Sequence, residues 1–139
     1  MHISPHLEPA KPPLALRRAD QQALLAIAYG GLLSDTRGAG ALLYEASRAQ
    51  LAADDDLSLR TVTLWSNVSF RDENTRSHHV IRLVPPKDAH GPSASVSVLS
   101  PLGAALIGLS RGQHIRCPDR RGGELNLTVL DVSTPTPQA

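Results

Sequence analysis

Apolar positions recur every three or four residues between Leu14 and Ala53, and every second residue in short runs between Thr61 and Val132. The first spacing is that of one face of a helix, the second that of one face of a strand. Leu24, Leu25, Ala28 and Leu32 make the first helical stripe, which weakens at Gly30-Gly31. Ser34-Asp35-Thr36-Arg37-Gly38 is turn chemistry. A second stripe, Leu42, Leu43, Ala46, Ala49 and Ala53, runs through ALLYEASRAQLAA. Two helices of about 13 to 15 residues joined by a loop predict an antiparallel hairpin reaching roughly 20 Å. Asp54-Asp55-Asp56 closes it, because acids sit badly at a helix C-terminus. Adjacent side chains point in different directions, so the run reads as a solvated linker rather than a metal site.

The strand-like part begins at Thr61. Val62 and Leu64 share one face and Thr63, Trp65 and Asn67 the other, and the run continues through Val68 and Phe70 to Arg71. Asp72-Glu73-Asn74 is a turn, and His79, Ile81 and Leu83 alternate on the return, which predicts a β-hairpin ended by Pro85-Pro86. Val96 and Val98 mark a third strand, His114–Cys117 a fourth, and Glu124–Val132 a fifth. Between the third and fourth, the stretch SVSVLSPLGAALIGLSRGQHI carries a short helix at 101–108. Ser100 suits its N-cap and Pro101 its first position. Leu102, Leu106 and Leu109 are expected to point at the sheet, while Gly103, Ala104 and Ala105 keep the helix slim and Gly108 ends it.

The fold class is therefore α+β: a short N-terminal helical hairpin, then about five mostly antiparallel strands with one short helix on one face. The expected divisions are a flexible leader at 1–13, rich in proline, the hairpin at 14–56, the sheet domain at 57–133 and a frayed tail at 134–139.

Charge and composition exclude more than they assign. Fourteen basic and thirteen acidic side chains leave a net charge of +1, which gives no push toward polyanions or acidic membranes. Arg116, Arg120 and Arg121 form a small basic group, at a turn ending in Gly122-Gly123. At 3% aromatic residues the chain has little surface for stacking on bases, so sequence-specific reading of nucleic acid is not expected. The single cysteine, Cys117, forms no internal disulfide and fits a strand residue in a reducing compartment. The uncharged stretch Gln21–Leu33 falls short of the roughly 20 apolar residues that span a bilayer, and a soluble, cytoplasmic protein is expected. Its uncharged face exceeds what a thin hairpin buries, which points to pairing with a second copy.

No catalytic motif is present. After its last glycine the opening of the short helix lacks the Lys-Ser/Thr of a phosphate loop, and Val98 and Leu102 stand where a nucleophile elbow needs glycine. His78-His79 would face opposite sides of a strand, one partly buried and one exposed, and so cannot chelate one metal. His90 and His114 are isolated, and no Cys/His spacing resembles a zinc site. No metal or cofactor is expected.

Residues 59–132 resemble the C-terminal domain of the bacterial GreA/GreB transcription factors, and most of all their Rnk branch. The likeness lies in NVSFRDENTRSHHVIRLVPP, in Val-Leu-Ser-Pro-Leu-Gly, Ala-Leu-Ile-Gly and Gly-Gln, and in the closing Val-Leu-Asp-Val. It implies an FKBP-like curved sheet packed on one helix, bacterial RNA polymerase as partner, and docking at the rim of its secondary channel. In Gre factors acidic residues at a coiled-coil tip help hold magnesium for transcript cleavage. Here the turn LLSDTRGAG offers Asp35 beside Arg37, and the arms are short, which implies a non-catalytic, Rnk-like regulator. The family's Asp-Ser-Pro docking triplet corresponds to Leu99, Ser100 and Pro101. Partner-binding residues are thus expected at Leu99, Ser100, Pro101, Asp35 and Arg37. The alternatives are a peptidyl-prolyl isomerase, which needs an aromatic-lined pocket, and a cleavage factor with a degenerate tip.

Overall fold

The computed structural model describes residues 12–56, 59–89, 94–118 and 122–133. The leader up to residue 11, the tail at 134–139, His90, Arg120 and Arg121 lie outside the described residues. Strand β1 (Ala15–Arg17) leads into helix α1 (Arg18–Gly31), helix α2 (Thr36–Arg48) and strand β2 (Gln50–Ala52). Then follow β3 (Asn67–Asp72), β4 (His78–Val84), β5 (Ser95–Ser97), helix α3 (Pro101–Leu106), β6 (His114–Pro118) and β7 (Glu124–Ser133). The main sheet has the order β5-β4-β3-β7-β6, antiparallel except where β5 runs parallel to β4. The result is the α+β layout that the change of period implies.

Three departures have local causes. The second helix starts earlier and ends sooner than its apolar stripe suggests. Asp35 caps it, its Oδ1 accepting from Gly38 N–H at 3.0 Å, so the turn residues Thr36 to Gly38 belong to the helix. At the other end Ala49 turns extended and Gln50 N–H donates to Leu14 O at 2.8 Å, pulling 50–52 into a two-stranded parallel ribbon with 15–17. Backbone pairing across the chain overrides the helical preference of an alanine-rich stretch. The first strand of the main sheet begins at Asn67 rather than Thr61, because Trp65 adopts a left-handed φ of 71°. Trp65 therefore sits on a turn ahead of the sheet, not on its face. Both His78 and His79 are exposed; His79 stacks on Phe70, centroids 5.3 Å apart, and shares a 3.0 Å hydrogen bond with Ser77.

One core runs through the whole molecule. Leu24 and Ala28 of α1 and Ala39, Leu42 and Ala46 of α2 belong to the same buried cluster as Leu106, Ile107 and Leu109 around α3 and Val68, Leu83, Leu127 and Val129 of the sheet. Each such Leu, Ile or Val contributes roughly 1.5–3 kcal/mol by leaving water. Cys117 lies in this cluster, buried and outside any disulfide. The helical pair is thus a layer packed on α3 and not an arm held away from it.

The base of the hairpin is tied to the sheet domain through backbone bonds. Ala15 N–H donates to Gly108 O at 3.1 Å, Thr61 Oγ1 donates to Ala15 O at 2.7 Å, and Gly108 N–H and Val62 O meet at 2.8 Å. Gly108 holds a φ of 78°, a conformation that only glycine takes without strain. The acidic run expected as linker also serves the fold. Asp54 Oδ1 accepts from Ala19 N–H at 2.9 Å and so caps α1 from across the chain.

The β3–β4 turn is fixed by Glu73. Its Oε2 accepts from Arg71 Nε at 3.0 Å and from Thr128 Oγ1 at 2.6 Å, and its Oε1 from Arg76 Nη1 at 3.2 Å. The Arg71 hydrogen bond, then that of Thr128, holds the Glu73 carboxyl below the ordinary glutamate value. Because the folded-state value is depressed, this stabilisation is complete above the ordinary value of 4.5 and is lost as pH falls through the lowered one.

Packing and charge each yield a prediction. Gly38→Ala and Gly103→Ala, which would drive a Cβ into the backbone carbonyls of Leu99 and Ser97, should each lower unfolding free energy by about 1–3 kcal/mol. Gly40→Ala, with open space around the new methyl, should instead raise it by about 0.5–1 kcal/mol; urea unfolding of the three variants reads the difference. In the same assay run across pH, the stability gap between the wild type and Glu73→Gln should be constant at neutral pH and shrink below pH about 4. A gap independent of pH would show that Glu73 acts through packing alone.

Candidate protein-docking site

The lead-in to α3 is built from a run of serine bonds. Leu99 N–H donates to Ser97 Oγ at 3.0 Å, and Ser100 N–H and Oγ donate to Ser97 O at 3.0 and 2.7 Å. Ser100 Oγ also accepts from Gly103 N–H at 3.0 Å, the N-cap that Ser-Pro spacing foretells. The Ser100 hydroxyl is therefore engaged on both its donor and acceptor sides. Pro101, at the first helical position, is exposed.

Leu99 is not exposed. It retains 7% of its accessible surface and packs against the end of α1, where a Cβ on Gly31 would stand 3.0 Å from its Cδ1. Its carbonyl lies against Gly38 on α2, closer than any side chain there would permit. The hairpin turn therefore comes down onto the β5–α3 loop. This contact brings the hairpin turn, with exposed Asp35 and Arg37, onto the loop of buried Leu99, which leads into half-buried Ser100 and exposed Pro101. Leu33, fully exposed, lies on the same turn.

The chemistry available at this rim is that of contact. One carboxylate and one guanidinium are present, and the carboxylate already caps α2. Among the described residues no group of three or more His, Cys, Asp or Glu side chains is placed to hold a metal ion. The buried face of the sheet is lined by aliphatic residues, with Phe70 the one buried aromatic. Along the outside of α2 an open groove of about 460 Å³ is bounded by Gly40, Leu43, Tyr44, Ser47 and Arg48. At its end Arg48 Nε donates to Glu45 Oε1 at 2.7 Å, leaving the buried Nη2 without an acceptor. No helix of the described residues is long and apolar enough to cross a membrane.

Residue order did not single out where the aromatic side chains go. Of the four, Tyr29, Tyr44 and Trp65 are exposed, at 60%, 56% and 38%, and Phe70 alone is in the core. The signal was present in the composition, because a core that can be filled with Leu, Ile, Val and Ala leaves rare aromatics free for the surface.

Comparison with known proteins agrees with this geometry. A family model described as the C-terminal part of the transcription elongation factors GreA/GreB matches residues 57–134. The regulator of nucleoside diphosphate kinase of Escherichia coli K12 is 34% identical over 105 residues, covering 76% of this chain and 74% of that protein. The transcription elongation factor GreA of Syntrophobacter fumaroxidans is 40% identical over 67 residues, 48% of this chain and 42% of its own length. Among solved structures, a prokaryotic transcription elongation factor GreA/GreB from Nitrosomonas europaea superposes with a TM-score of 0.69 at 31% identity, covering 89% of this chain and 100% of that one. The family-model match over 57–134, the 34% identity to that regulator and the superposition on the solved GreA/GreB structure place this chain in the GreA/GreB transcription elongation factor family.

Proposed function

We propose that this protein binds bacterial RNA polymerase near its secondary channel and regulates transcription elongation without itself supplying cleavage chemistry. Membership of a family of transcription elongation factors supports the general role. The observation that carries the finer reading is the folded-down hairpin turn. Its single carboxylate, Asp35, is spent on the α2 cap, and the turn rests on Leu99 instead of standing clear of the domain. A factor that assists cleavage must bring carboxylate oxygens to a metal bound at the polymerase active centre. A turn sealed against its own domain with one engaged carboxylate is poorly arranged for that and well arranged as part of a rigid docking rim. On this reading Pro101, Ser100, Asp35 and Arg37 form the contact, and Leu99 shapes it from below. The isomerase alternative draws no support from a sheet face packed with aliphatic side chains.

The direct test is a titration of labelled chain with core RNA polymerase, paired with stalled elongation complexes in magnesium. Saturable binding with no rise in transcript cleavage above the intrinsic rate is expected. Cleavage that rises with added chain and disappears in Asp35→Ala would overturn the reading. A second expectation concerns position 99. Leu99→Asp, which puts a carboxylate into the Gly31–Gly38 contact, should cost on the order of 3 kcal/mol in urea unfolding. It should also raise proteolytic susceptibility within the hairpin. A variant as stable as the wild type would mean that Leu99 does not hold the hairpin down.

A further inference from the structure

We propose that the surface formed by Trp65, on the turn ahead of β3, and by Arg82, on the outer face of the β3–β4 hairpin, is a second contact with polymerase. It would take a surface of that partner presenting a carboxylate beside an apolar side chain. The inference rests on the polymerase reading above, but concerns a different surface from the rim of Ser100 and Pro101.

Trp65 is the single tryptophan of the chain, and it is only partly buried. It stays 38% exposed at a φ of 71°, a region in which bulky residues are outliers and which costs about 1–2 kcal/mol for a side chain with a Cβ. The conformation is enforced by its surroundings. Trp65 N–H donates to Leu83 O at 2.6 Å, Ser66 N–H to Thr63 O at 3.2 Å, and Thr63 N–H to Ser66 Oγ at 3.0 Å. Asn or Gly would take that backbone with less strain. The fold therefore holds an indole outward at a cost.

A cation covers the ring. The Arg82 guanidinium lies 5.6 Å from the indole centroid, and its Nε donates to Trp65 O at 3.4 Å. Among the described residues no carboxylate pairs with Arg82. Arg71, on the same face of the neighbouring strand, differs in being neutralised by Glu73. Val80, 61% exposed, stands two residues from Arg82 on the same side of β4, with Asn67 and Ser69 opposite these two on β3. Strand β4 and its β5 neighbour contain no acidic residue; the acid on this face is the exposed Asp131 of β7, opposite Ser69. Trp and Arg are the side chains enriched at the energetic centres of protein interfaces, and this pair has no carboxylate partner among the described residues. Its electrostatic complement is acidic. A single-stranded nucleic acid would also present negative charge and bases to stack, but with a net charge of +1 and one aromatic side chain the patch lacks the basic groove and the run of rings that such binding uses.

The experiment uses the full chain labelled with 5-fluorotryptophan, whose single fluorine resonance reports on Trp65 alone, together with equilibrium titration against core RNA polymerase. Polymerase should broaden and shift that resonance. Trp65→Asn, whose tolerance of the left-handed backbone offsets part of the packing lost with the indole, should remain folded in urea unfolding yet bind about tenfold or more weakly. Arg82→Glu should lose at least as much, with Arg82→Lys between it and the wild type. If both Trp65→Asn and Arg82→Glu bind within about twofold of the wild type, this surface is not a contact, while the polymerase reading stands. If the wild type itself fails to bind, the polymerase reading is what fails, and this inference goes with it. A fluorine signal that responds equally to a single-stranded oligonucleotide would overturn the choice of a protein partner.

Discussion

Two backbone carbonyls set the arrangement of the molecule. Those of Ser97 and Leu99, at the end of β5, are approached by Gly103 on α3 and Gly38 on α2 more closely than a side chain would allow. The first contact lets α3 turn back directly over the strand that precedes it. The second brings the hairpin turn onto the same loop. Between them the Leu99 side chain enters the end of α1 at Gly31. Because interiors pack at crystal-like density, contacts of this kind do not slide, and the two helices become part of the core that the sheet and α3 already share. At the other end Gly108 joins the base of the hairpin to the end of α3. With both ends held, the helical pair lies along the domain.

That geometry decides which surfaces remain for partners. Leu24, Ala28, Leu42 and Ala46 are used inward, so the hairpin presents Tyr29, Leu33 and Tyr44, with no acidic residue between Gln21 and Ser34. The buried face of the sheet is closed by aliphatic packing. What is left on the sheet side is the outer face, where Glu73 holds Arg71, Arg76 and Thr128 in one hydrogen-bonded cluster and where, among the described residues, no carboxylate pairs with the Arg82 guanidinium over Trp65. Internal hydrogen bonding thus occupies the turn end of that face, while the proposed second contact lies at the other end. The near-zero net charge of the whole chain conceals this division.

Much of this was legible from residue order alone. Ser100 and Pro101 announce the cap and first position of α3, and the alternation of Val68, Phe70, Ile81 and Leu83 marks the pleat of the β3–β4 pair. The motif order from Asn67 to Val132 also carries the family resemblance. What was hidden depends on contacts between distant segments. Gln50–Ala52 scans as helix because its pairing partner is 35 residues away, at Ala15–Arg17. Trp65 scans as strand because its left-handed backbone is imposed by Leu83 and by Ser66 rather than by its own propensity. Asp54 scans as linker because the helix it caps begins at the far side of the hairpin. The Gly31 and Gly38 contacts with Leu99 leave no periodic trace, since one short loop and two helix ends meet there.

Position 99 connects the packing of the hairpin with the choice of docking surface. The resemblance assigns it to a docking triplet that carries an acid in the Gre factors, and an acid can serve a partner only from the surface. A leucine there can gain free energy by burial, and the two glycines opposite make the space for it. One side chain cannot both close the core and present itself to another protein. With Leu99 enclosed, the remaining members of the triplet offer an exposed proline ring and a hydroxyl whose hydrogen bonds are already made within the chain. Such a surface supplies shape but little directional affinity. On the proposed reading, further binding strength comes from elsewhere on the surface, and the part-exposed indole of Trp65 with the Arg82 guanidinium over its ring is the proposed source.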